Sequence, residues 1–256
     1  MKKILTFSLI FLFGLTLSLK ASDDVKSYLT KADSLNALFQ YEDALKVLEE
    51  ANKNFPNNWE IIWRMSREHV YIANFLKDDD VREKEYTKAR DLATQAIKLA
   101  PDKSVTYLRR AIANGKIALF KGVFSVGDIV NSVKADLEKA IKLGNGGNYV
   151  QAIAHYVLGR THAKVSEKWK PARSVLGLGW ADLDIALKEY ATAEKLYPGF
   201  AMIHFDYAKA LMRAEKYKEA KAELEKVLAA KILDKEDPQR KEEAKELLKE
   251  VNEELE

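Results

Sequence analysis

The sequence predicts an all-α fold: a right-handed α-solenoid of about five irregular helix pairs, closed by a C-terminal capping helix. Three observations predict it. A sparse pattern of small and bulky residues recurs along the chain. A helix-stopping residue follows each copy at a fixed distance. The final stretch carries one apolar face on a helix otherwise rich in Lys and Glu. No strand-like alternation of useful length competes with these signals.

The copies read Ala44-Leu48-Ala51-Pro56, Ala89-Ala93-Ala96-Pro101, Ala186-Tyr190-Ala193-Pro198 and Ala220-Leu224-Val227-Ile232. A degenerate fifth reads Val133-Leu137-Ala140-Asn145. Small residues spaced in this way share one helix face and let a neighbouring helix approach closely. Proline then stops the helix, because it lacks the N–H and clashes with the preceding turn. This is the second-helix signature of a tetratricopeptide (TPR) repeat, two antiparallel helices in about 34 residues. The first helix of such a unit, A, usually lines the concave side, and the second, B, packs outside.

Taken in order, unit one runs from about Asp24 to Pro56. Tyr28, Ala32 and Leu35 mark its A helix, and Tyr41 to Asn54 is its B helix. Unit two, Asn57 to Pro101, has an A helix from Asn58 to about Leu76 and a B helix from about Val81 to Leu99. Lys77-Asp78-Asp79-Asp80 marks an insertion of about eleven residues relative to the standard period. Unit three, Asp102 to Asn145, is expected to break at Gly122 to Gly127 and to end at Gly144-Asn145-Gly146-Gly147. Unit four, Asn148 to Pro198, holds the largest insertion, Ser166 to Asp182. Unit five, Gly199 to about Ile232, has the standard length. Asp237-Pro238 then reads as an N-cap followed by proline at the first helical position. Ala244, Leu247, Leu248, Val251 and Leu255 form the apolar face of that capping helix.

Composition bounds the function. The chain has 256 residues, 47% apolar and 32% charged, which suits an ordinary helical domain. Residues 1–21 read as a secretory signal peptide, leaving a helical repeat domain over 22–256. Lys2 and Lys3 form the basic region, Ile4 to Leu19 is uncharged, and Ala21 offers a small residue for cleavage. The expected location is therefore periplasmic or secreted. An uncleaved N-terminal membrane anchor is the alternative, because Leu19 stands where a small residue is preferred. Without residues 1–21, which hold three Lys and no acid, 39 bases face 39 acids. Nothing in that balance asks for nucleic acid. The absence of Cys excludes disulfides, a thiol nucleophile and a lipoprotein attachment site.

Several words of the sequence narrow the reading. Ile62-Trp63-Arg64-Met65-Ser66-Arg67 resembles the "LWRxAR" word of the regulator of microtubule dynamics (RMD) family. His155-Tyr156-Val157-Leu158-Gly159-Arg160 resembles its "HYxLGR", continued by Val165-Ser166 and Trp169. Ala186 to Phe200 resembles the next helix and its proline stop, and Glu236-Asp237-Pro238 the C-terminal end. The resemblance covers about residues 25–250. It implies a TPR-like helical protein, here an exported bacterial member. Animal members are linked to microtubules and organelle contacts, and one is a phospholipid-binding tether. A microtubule role does not carry over to an exported protein, whereas lipid binding does as an analogy. Between Trp169 and Asp182 this chain is shorter than the family and reads VLGLGW. A looser similarity is to periplasmic TPR components of TRAP-type transporters.

Candidate chemistry is sparse. His155 and His162 lie two turns apart and could share a metal, but His69, His155, His162 and His204 all fall at repeat positions used for packing. No nucleophile elbow, P-loop or HExxH motif is present, and no carboxylate pair stands out. The expectation is a protein with no catalytic residues, no metal and no cofactor. The concave positions of the A helices are more informative. They give a candidate ligand-binding groove of Trp63, Arg67, Leu108, Ile112, Lys116, Tyr156, Arg160, Lys164, Phe205 and Lys209. Two charge runs agree: Arg109, Arg110, Lys116 and Lys121 without an acid, and five bases over residues 160–173 with only Glu167. A basic, partly apolar groove suits an anionic head on an apolar body: a peptide C-terminus, a fatty acid or a phospholipid. The same bases could equally be solvated or paired with acids of the B helices. The leading expectation is a scaffold that binds a segment of an envelope protein. A carrier of an anionic amphiphile is the alternative. Either way, Arg67→Ala or Arg160→Ala is expected to abolish binding. The apolar insertion Trp169 to Asp182 is read as a loop folded back on the body, or else a lid or docking tip.

Overall fold

The computed structural model describes residues 24–121 and 123–256, so the expected signal peptide lies outside the described residues. Among these the chain forms twelve α-helices and no strand. Helix α1 spans 24–37. It is followed by α2 (Tyr41–Asn54), α3 (Trp59–Asn74), α4 (Asp79–Leu99) and α5 (Ser104–Ile117). A short 3-10 turn (Ala118–Phe120) leads into α6 (Val123–Leu143) and α7 (Gly147–Ser166). Then come α8 (Lys170–Val175), α9 (Leu183–Leu196), α10 (Ala201–Arg213), α11 (Tyr217–Ala229) and α12 (Asp237–Glu253). This is an all-α TPR-like solenoid. Helices α3, α5, α7 and α10 contact one another in series as well as their own partners, which makes the A helices the crowded inner layer.

The repeated small-bulky-small pattern is the core of every unit. Ala44, Leu48 and Ala51, and their counterparts through Ala220, Leu224 and Val227, are all at most 2% exposed. Small side chains there let the A helix of the same unit come close, and the bulky middle residue fills the space between units. Helix starts follow ordinary capping chemistry. Asn58 accepts hydrogen bonds from the N–H groups of Glu60 and Ile61, Asp78 from Val81, and Asp182 from Ile185. The stop after unit three uses left-handed backbone: Gly144 and Gly146 have φ of 65° and 89°, which only glycine adopts without strain.

Three boundaries differ from the sequence reading. The unit-three break lies at 118–121, and Gly127 sits inside α6 rather than in a turn. The reason is packing: a Cβ on Gly127 would lie 2.6 Å from the Leu176 carbonyl oxygen, so this glycine serves close approach. The B helix of unit two, α4, starts at Asp79, two residues before the expected Val81, with Asp78 as its cap. At the last helix the N-cap is Glu236, one residue early. Asp237 is fully buried and its carboxylate accepts hydrogen bonds from the N–H groups of Leu233 and Asp234 and from Arg240. The capping face is otherwise as expected, with Ala244 and Val251 fully buried and Leu247 and Leu248 packed beside them, while Leu255 is 38% exposed.

Candidate functional site

Arg160 and Lys164, one turn apart on α7, stand between two cavities on the inner layer. The larger, about 590 Å³, lies between α5, α6, α7 and the α8 segment. It is walled by apolar side chains including Ile112, Val130, Val157 and Leu176, and its charged lining consists of Lys116, Lys121, Arg160, Lys164, Lys168 and Arg173. No acid borders it. The smaller, about 320 Å³, faces α10 and α12 and is mixed: Lys209 and Arg213 line it beside Asp206, Glu167 and Glu250.

The bases differ in availability. Lys116 makes no hydrogen bond or ion pair among the described residues. Burial, helped by the positive charge of Arg160, pushes its ammonium down to about 8. Arg160 is half exposed, with its Nε 3.3 Å from Asp206. Lys164 lies 3.2 Å from Glu167, and Lys121 is paired with Glu83. Arg173 donates to the Ala181 carbonyl at 2.6 Å, but its Nε is buried without a partner.

The structure gathers Ile112, Lys116, Arg160 and Lys164 around the larger cavity, and Arg160, Lys164 and Lys209 around the smaller. The other five candidate residues lie elsewhere. Leu108 is wholly buried in the core. Arg67 is 8% exposed, with its guanidinium bonded to Asp33 at 2.8 Å and to Glu68 at 2.7 Å. Trp63 is covered by three guanidinium groups, Arg64, Arg67 and Arg109, at 4.3, 5.4 and 5.5 Å from its ring. Tyr156 is buried and its hydroxyl donates to Asp206 at 2.7 Å. Phe205 is buried with Lys209 over its ring. Repeat register places a side chain on the inner layer, but it does not say how near the next A helix comes. Sequence reasoning missed the wall given by α6 and by Lys168, Arg173, Leu176 and Leu178. The charge run over 160–173 and the apolar insertion after it were the signals for that wall.

The insertion divides into two parts. Its C-terminal part is packed: Leu178 is buried, and the Trp180 indole N–H donates to Asn131 at 2.8 Å and stacks edge-on against His162. Its N-terminal part, Trp169 to Val175, turns outward. The linker between α11 and α12 also reaches the inner layer, where the Lys235 ammonium lies 4.5 Å from the Phe75 ring centroid.

The histidines are structural ties. His69 bonds Glu85 at 2.7 Å, His155 bonds Glu189 at 2.6 Å and His204 bonds Glu223 at 2.7 Å, each joining an A helix to its B helix. His155 and His162 thus have separate partners rather than a shared site. Glu194, His204 and Glu223 do have metal-like spacing, with donor atoms within 4.8 Å of one another. The Lys226 ammonium, bonded to both carboxylates, sits where a cation would.

Residues 28–252 match the family model described as regulator of microtubule dynamics protein 1-3. The chain belongs to that family. No curated protein matches it. Among solved structures, the thermophilic TPR protein TTC0263 of Thermus thermophilus superposes with a TM-score of 0.63 at 18% identity, over 86% of this chain and 98% of that one. PilW, described as a type IV pilus biogenesis factor, gives 0.53 at 17% identity, over 88% and 92%. At these identities the likeness concerns the fold. In this member of the regulator of microtubule dynamics family, two cavities adjoin α7, and Arg160 and Lys164 are the bases on α7 common to both.

Proposed function

We propose that the protein is a non-enzymatic, exported binding protein whose inner groove takes a segment of a partner protein. The observation that carries this reading is the position of Arg160 and Lys164, accessible bases with the apolar-walled larger cavity on one side and the mixed smaller cavity on the other. A peptide C-terminus or an acidic side chain beside apolar ones answers that arrangement. Export, to the periplasm or the medium, rests on the basic and uncharged segments within residues 1–21, and makes an envelope protein the expected partner.

One observation favours a second reading, a carrier of an anionic amphiphile such as a fatty acid or phospholipid. The larger cavity is walled almost wholly by apolar groups, and its charged groups are all basic. Native mass spectrometry of the purified protein separates the two. A co-purifying lipid mass supports the carrier. An empty protein that binds envelope-derived peptides, with affinity lost in Arg160→Ala, supports the scaffold. Either ligand should raise the Lys116 pKa by bringing a negative charge to it, so binding near pH 8 should take up protons from the buffer. Binding that survives both Arg160→Ala and Lys116→Ala overturns the site, and turnover of a substrate by the pure protein overturns the class.

A further inference from the structure

We infer that the segment from Trp169 to Val175, together with Leu119, is a docking surface for an anionic lipid bilayer. Among the described residues the three most exposed large apolar side chains are Val175 at 86%, Trp169 at 75% and Leu119 at 73%. They belong to one place in the fold. Leu119 borders the same cavity as Lys168, Ala172 and Arg173, and Trp169, next to Lys168, and Val175 stand at the two ends of α8. Scattered single apolar residues need no explanation, but two nearly bare ones at the ends of α8 and a third on the border of the same cavity do.

The chemistry around them selects the partner. Lys168 and Lys170 are exposed and, among the described residues, carry no ion pair. Glu167, the one acid of the stretch 160–173, is already shared by Lys164 and Arg213. A tryptophan, an aliphatic residue and unpaired lysines on one short projection match a membrane interface. There the indole sits at headgroup level and each lysine adds attraction to anionic lipid. The projection is held firmly from behind. Leu178 is buried, the Leu178 N–H donates to the Arg173 carbonyl at 2.7 Å, and Trp180 is bonded to Asn131. A rigid base lets the tip insert without unfolding the loop. This inference goes beyond groove binding and stands whichever ligand the groove takes.

The chain has no cysteine, so one can be introduced and labelled alone. Val175→Cys in the full chain, carrying an environment-sensitive fluorophore, is mixed with vesicles of phosphatidylcholine alone or with phosphatidylglycerol added. The expected result is a blue shift and brighter emission with the anionic vesicles only. The response should be weakened by high salt and lost when Lys168→Glu and Lys170→Glu are added. The same label at Lys98→Cys, on the outer helix α4, should not respond; this control separates loop insertion from any anchoring by residues 1–21. An unchanged spectrum at position 175, or an equal response at position 98, overturns the proposal. So does an equal response to vesicles of phosphatidylcholine alone. Ligand capture by the groove in the same sample is read separately by native mass spectrometry, so failure of one proposal leaves the other standing.

Discussion

The inner layer at α3 and the inner layer at α7 carry the same chemistry in the sequence, an aromatic residue and an arginine one turn apart. The structure uses them in opposite ways. At α3, Arg67 is buried against Glu68 and Asp33, and Trp63 is roofed by guanidinium groups. At α7, Tyr156 is buried, but Arg160 stays half exposed at the junction of two cavities. The difference comes from the neighbours. Helix α1 presents Asp33 to α3, and Glu68 brings a second acid with no exposure at all. Burial keeps the Glu68 carboxyl above its usual range even beside Arg67, so this charge depends on its partner. Arg160 also has an acid, Asp206 at 3.3 Å, but a single one that leaves half of its side chain open. An arginine is available to a ligand where the acids around it do not enclose it.

The largest expected effect follows directly. Arg67→Ala leaves Glu68 buried and uncompensated and should cost about 3–5 kcal/mol of stability. Arg160→Ala removes one solvent-screened pair and should cost under about 1 kcal/mol, while weakening ligand capture. Urea unfolding of the two variants checks this. Equal losses would erase the contrast between the two regions. The sequence alone treats both substitutions as binding defects; the structure makes the first a folding defect.

A smaller effect tests how the open region is walled. Gly127→Ala places a Cβ 2.6 Å from the Leu176 carbonyl oxygen, so α6 or the insertion must move. Overpacking of this kind costs about 1–3 kcal/mol. Because Leu176 and Leu178 border the larger cavity, the variant should also lose ligand retention. Wild-type stability and retention in Gly127→Ala would mean that the insertion is not a fixed wall.

The histidine ties add a dependence on pH that differs between His204 and His162. The hydrogen bonds of His204 to Glu223 and to the Pro198 carbonyl outweigh burial and raise its pKa, while the Glu223 carboxyl is held below its usual value. The His204 contribution is present below its unfolded pKa of about 6.5 and fades as pH rises through the folded value. The Glu223 contribution fades as pH falls below about 4.5. The pair therefore stabilises most between those limits. His204→Gln should lose more stability, relative to wild type, at pH 5.5 than at pH 8.5. His162 has the reverse sign: burial lowers its pKa, so its folded form is penalised as pH falls. A gap that widens with rising pH in His204→Gln would refute the assignment.

Much of the fold was legible because it rests on local periodicity. Every small and bulky residue of the recurring pattern, its stops aside, is buried, and α2 has the predicted bounds. What was not legible depended on distance between elements. Gly127 reads as a turn residue until Leu176 is seen against it. Arg67 reads as a groove base until Asp33, 34 residues away, is found bonded to it. Of the candidate site, the part on α5 and α7 with Lys209 was recoverable from register and charge runs. The α6 wall was not, since Val126, Val130 and Val133 look like any apolar helix face.

The smallest expected effect probes the cavity's spare room. Gly115 lies in α5 and borders the larger cavity, and a Cβ added there meets nothing within 4 Å. Alanine also forms helix better than glycine, by about 0.8–1.0 kcal/mol in a helix interior. Gly115→Ala should therefore stabilise the protein by up to about 1 kcal/mol, opposite in sign to Gly127→Ala on the facing wall. A larger residue tests occupancy: Gly115→Leu should keep most of that stability and exclude ligand, because its side chain enters the space an apolar ligand body needs. If Gly115→Leu binds as wild type does, the ligand lies in the mixed cavity toward α10, and Arg160 and Lys164 serve that side alone.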